Sequence, residues 1–118
     1  MAEQVEALAL IEAVAEFIKS IESELSGRSA FHAKVAANAL GIAARELELQ
    51  PAATEQAALS GFLGNAAGLD ALRAEVCGRL RSGQLTPETP GLLEALQAVV
   101  VAKLSVDNPR YATLGRLR

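Results

Sequence analysis

The single histidine, His32, follows Phe31 in the stretch FHAKVAANALGIAARELEL, residues 31–49, with an amide, Asn38, and a guanidinium, Arg45, further along. Asn38 is seven residues from both Phe31 and Arg45, which on a helix places it about 20° from each. Near the other end the chain reads DNPRY, with Asp107, Asn108, Arg110 and Tyr111 in close succession. Brought together, these seven groups have the chemistry to hold a small anion or carboxylate, with donors from Arg45 and Asn38 and Asp107 orienting a guanidinium. The plainer reading is a polar network that ties two helices and fixes their register. Either arrangement needs partners, because a buried polar group left unsatisfied costs about 1–3 kcal/mol.

No other constellation reaches a complete chemistry. His32 lacks a second histidine or a Glu-x-x-His companion, so no metal centre and no cofactor are expected. Cys77 flanks Val76 and Leu80 and reads as a small buried side chain; if exposed, Arg73 and Arg81 would favour its thiolate. Glu12 and Glu16 read as a like-charged pair on a solvated face. GNAAGLD has glycines ahead of a helix but neither the phosphate-binding lysine nor a preceding strand.

The elements that must position these residues are helices. Leu10, Val14, Phe17, Ile21 and Leu25 recur at steps of three and four over residues 3–25, giving an apolar stripe expected to face the core, with Gly27 as the stop. A second helix over about residues 29–49 repeats the pattern with Phe31, Val35, Ala39, Ile42 and Leu49. That stripe, with Asn38 and Arg45 on it, is expected to be buried, and Ala36, Ala39 and Ala43 suggest a central helix closely approached by its neighbours. Pro51 ends the second helix and opens a shorter third with Leu59, Phe62 and Leu63. Leu69, Leu72, Val76 and Leu80 define a fourth, with basic residues to attract the glutamates of the first. After the loop GQLTPETPG a last helix spans about residues 90–106, and the chain ends in a basic tail, disordered or docked. The expected fold is all-α, an antiparallel up-and-down bundle of four long helices plus one short one, as a single domain over residues 1–110 with the tail at 111–118.

Length and composition agree. A chain of 118 residues that is 51% hydrophobic but only 3% aromatic builds its core from aliphatic side chains. The net charge of −3, without interleaved basic and aromatic residues, argues against nucleic acid. One cysteine, an acidic start and no apolar run of about 20 residues point to a cytoplasmic protein with no membrane association.

Residues 31–49 together with LLEALQAVVVAKLSVDNPRYATL resemble an uncharacterised bacterial all-α domain family found beside or behind kinases like aminoglycoside phosphotransferases, often near acyl-CoA dehydrogenases. The resemblance implies an accessory module serving a phosphotransferase-like enzyme or an acyl-CoA dehydrogenase, or assembling with a second copy of itself, rather than an enzyme. It carries no catalytic residues over. It singles out His32, Asn38, Arg45, Asp107, Asn108, Arg110 and Tyr111 as polar positions within the matching blocks. The rival expectation is a small-molecule bundle, or a minor enzyme, with an anion pocket at one end.

Overall fold

Apolar residues at helical spacing and proline or glycine at the breaks leave few options for the backbone. The computed structural model describes residues 2–118, and within them six α-helices and no strand are found. The helices gather into two compact units, Met1–Leu49 and Gln50–Arg118.

The first unit is a pair of helices, α1 (Ala2–Ile21) and α2 (Gly27–Leu49), joined through one turn of 3₁₀ helix, Glu22–Glu24. The reversal comes earlier than the glycine signal suggests. Gly27, expected to stop the first helix, instead opens α2 with φ +57, a conformation that costs glycine little. α1 and α2 pack on each other as an antiparallel hairpin.

The stripes expected to meet in a core do not. The part-buried line of α1 is Ile11, Ala15 and Ile18, one residue and about 100° on from Leu10, Val14 and Phe17. On α2 the part-buried line runs through Ala30, Ala37, Leu40 and Ala44, with Ala33 buried. Phe31, Val35 and Ile42 stand exposed on the far side of the helix, and so does Asn38. The reason is size. The line α2 turns to α1 is mostly alanine, side chains that let two helices pack closely, and the bulkier Phe31, Val35 and Ile42 are left outside. Within the first unit α2 is one arm of the hairpin.

The second unit has the leucine core. α3 (Pro51–Leu63) packs on both α4 (Leu69–Ser82) and α5 (Leu92–Asp107), and α6 (Leu114–Leu117) packs on α5. Leu59, Leu72, Val76, Leu85 and Leu92 form the buried cluster, with Phe62, Leu63, Leu96 and Val99 against it. Leu85 comes from the loop GQLTPETPG, which the backbone clamps by Leu85 N–H donating to the Arg79 carbonyl at 3.1 Å and Thr86 N–H donating to Thr89 Oγ1 at 2.9 Å. Gly91 enters α5 with φ +87, and a β-carbon there would stand 3.4 Å from the Phe62 ring. The tail is docked: Leu114 is buried, and Gln97 Nε2 donates to the Leu117 carbonyl at 2.7 Å. No helix among the described residues is long and apolar enough to cross a membrane.

Candidate functional site

The seven candidate residues divide between the two units. His32, Asn38 and Arg45 all lie on α2. His32 and Asn38 are exposed, and the His32 ring leans on Phe31 with centroids 6.0 Å apart and planes tilted 54°. Arg45 is part-buried and turns back along its own helix, with Nη1 3.3 Å from where a β-carbon on Gly41 would be. Glycine there leaves the guanidinium room to lie flat.

Asp107 is the last residue of α5, and Asn108 caps it, its N–H donating to the Leu104 carbonyl at 2.8 Å. Pro109 then forces the turn, closed by Tyr111 N–H donating to the Asn108 carbonyl at 3.0 Å. Asp107, Asn108, Arg110 and Tyr111 all present themselves to solvent. The local fold thus makes two exposed polar surfaces, one along α2 and one at the end of α5.

The charged pair with the most protein around it involves none of the seven. Glu55, on α3, is only 8% exposed, and Arg73 on α4 grips its carboxylate with both arms: Nε donates to Oε2 at 2.6 Å and Nη2 to Oε1 at 2.6 Å. The hydrogen bonds from Arg73 hold the Glu55 carboxyl below its ordinary range, against the opposing effect of burial. The same bonds raise the Arg73 guanidinium. Arg73 itself reaches solvent, so the pair works as a bracket across the α3–α4 corner, its acid inside and its base at the rim. That corner is further tied by Gln56 Nε2 donating to the Ala67 carbonyl at 3.1 Å and Ser60 Oγ donating to the Asn65 carbonyl at 2.6 Å. The signal for Glu55 was its place four residues before Leu59, on the apolar line of α3. Arg79 pairs with Glu75 on its own helix, so Arg73 and Arg79 have acids within α3 and α4.

Cys77, read as buried, is exposed on α4. Val76 takes the inward position, and Cys77, about 100° on, turns outward. A shallow groove of about 300 Å³ runs along α5 and α6, lined by Glu94, Gln97, Ala98, Val101 and Leu117, and holds none of the seven candidates. Among the described residues no group of three His, Cys, Asp or Glu side chains is placed to hold a metal ion.

No curated protein matches the chain, and no solved structure does. The family described as a domain of unknown function, DUF6285, matches residues 23–111, a span that includes both polar surfaces and the Glu55–Arg73 bracket. With three quarters of its length in that match, the chain belongs to the DUF6285 family.

Proposed function

We propose that the chain is a non-catalytic interaction or regulatory module that works with a phosphotransferase-like enzyme in acyl-CoA metabolism. The observation that carries this reading is the outer stripe of α1, where Leu10 and Phe17 are 68% and 62% exposed and Val14 stands between them in line. Large aligned apolar side chains left in water mark a surface built to be covered. Glu3 and Glu6 continue this face toward the start of α1, so the fitting partner offers an apolar groove with basic residues at that end. The identity of the partner, a kinase-like or acyl-CoA dehydrogenase subunit, follows from the resemblance of the two sequence blocks.

The test is purification of the tagged chain from its own cells under gentle cross-linking. A kinase-like or dehydrogenase subunit should accompany it, and should be lost when Phe17→Glu is introduced. Turnover of ATP or of an acyl-CoA at an enzymatic rate by the purified chain alone would end the reading.

A further inference from the structure

A second apolar line lies on the other helix of the hairpin, on the side turned away from α1. Phe31, Val35, Asn38, Ile42, Arg45 and Leu49 follow one another at alternating steps of four and three. That is the spacing of a two-stranded coiled-coil seam, in which each such position fits a hole on a facing helix. Phe31 is 64% and Val35 51% exposed, and Ile42 and Leu49 are also open to solvent. The four apolar members of the line stand open to solvent, while Arg45 is part-buried.

We propose that the facing helix is α2 of a second copy of this chain, running antiparallel. Three observations identify that occupant. The first is charge. In an antiparallel pairing centred near Leu40, Phe31 of one copy meets Leu49 of the other, Lys34 meets Glu48, and His32 meets Glu46. The front half of α2, with Arg28 and Lys34, is basic, and its back half, with Glu46 and Glu48, is acidic. A parallel pairing gives Lys34 no acid to face, whereas the antiparallel one sets it beside Glu48 twice over, with Arg28 beyond the paired span and Arg45 on the line opposite Val35.

The second observation is extent. Four apolar side chains of this size, with the stems of their neighbours along a helix of 23 residues, offer several hundred Å². Stable interfaces bury roughly 600–1,000 Å² per partner, so the pairing belongs to the weak end of the range, where association is a micromolar equilibrium. The third is the polar content of the line, Asn38 at its centre and Arg45 beyond. A single asparagine on such a seam lowers stability while selecting register and the number of strands, and Asn38 is exposed in the centre of this one. The symmetry is closed: the same patch serves both copies, so association stops at two. This inference goes beyond the proposed enzyme partner, which takes the outer stripe of α1, and either can fail without the other.

Sedimentation equilibrium of the full chain, over concentrations from about 1 to 200 μM, tests it. The expected mass rises from the chain's 12.3 kDa to twice that value. Val35→Glu should hold the mass at that of one chain while the far-ultraviolet dichroism stays helical, because Val35 does not face α1. Lys34→Glu should weaken association about fivefold, the scale of exposed ion pairs acting twice, and Lys34→Glu with Glu48→Lys should restore it. A 12.3 kDa mass at every concentration overturns the proposal. So does a dimer indifferent to Val35→Glu, or a charge swap that fails to rescue.

Discussion

The two units solve the same packing problem with different side chains. The hairpin of α1 and α2 meets on alanine with a few part-buried Ile and Leu: its one buried residue among those described is Ala33, and Leu10, Val14, Phe17, Phe31, Val35 and Ile42 point outward. The unit built on α3, α4 and α5 puts leucine inside, closes the loop over itself with Leu85, and buries an acid under its own arginine. Both are helical and rich in leucine and alanine, so composition does not tell them apart. The difference shows that an apolar stripe of helical period states that something will cover it, not that the same chain will. The leucine unit stabilises itself, whereas the alanine unit keeps its larger side chains for contacts outside the hairpin.

The sharpest way to break this comparison is in the leucine core. Leu72 is 0% exposed, and Leu72→Ala should cost about 2–5 kcal/mol in urea unfolding, the range for a leucine removed from a close-packed interior. A loss near zero would mean that the second unit has no rigid core. Next comes the bracket. With its pKa lowered in the folded state, Glu55 contributes stability that is fully present above its ordinary value of 4.5 and lost as pH falls through the depressed one. The melting temperature should therefore drop between about pH 5 and pH 3 more steeply in the native chain than in Glu55→Gln. At neutral pH Glu55→Gln should be less stable than the native chain, by less than Leu72→Ala.

Gly91→Ala should cost about 1–2 kcal/mol, since φ +87 is strained for a residue with a β-carbon, which would only just touch the Phe62 ring. Smallest of all is Leu10→Ala, at an exposed site, which should fall within about 0.5 kcal/mol of the native chain in dilute solution. Equal losses from Leu10→Ala and Leu72→Ala would erase the distinction between the units.

Much of the helical layout was legible because its punctuation is local. Pro51 opens α3, Gly83 follows α4, and the GQLTPETPG loop falls where the prolines place it. The choice of inner face on α1 was not legible, because Ile11, Ala15 and Ile18 make a stripe as regular as Leu10, Val14 and Phe17. Only the alanine surface of α2 decides between them. Gln50, at the junction of the units, takes φ 47, which the rule for residues before proline did not anticipate beyond excluding helix. The Glu55–Arg73 bracket was half legible: the glutamate sits on an apolar line, but its partner lies 18 residues away and is fixed only when α4 packs on α3. The seven polar candidates were readable as residues, while the exposure of His32, Asn38 and Arg45 depended on which face of α2 the hairpin buried, and that of Asp107, Asn108, Arg110 and Tyr111 on the turn after α5.

The exposed sulfur of Cys77 adds a separate route to doubled mass. In air, two chains can join through it as a covalent dimer by way of α4, a link indifferent to Val35→Glu and dissolved by dithiothreitol. The pairing along α2 has the opposite signature, surviving dithiothreitol and yielding to the single charge, so a bottle of reductant separates the two.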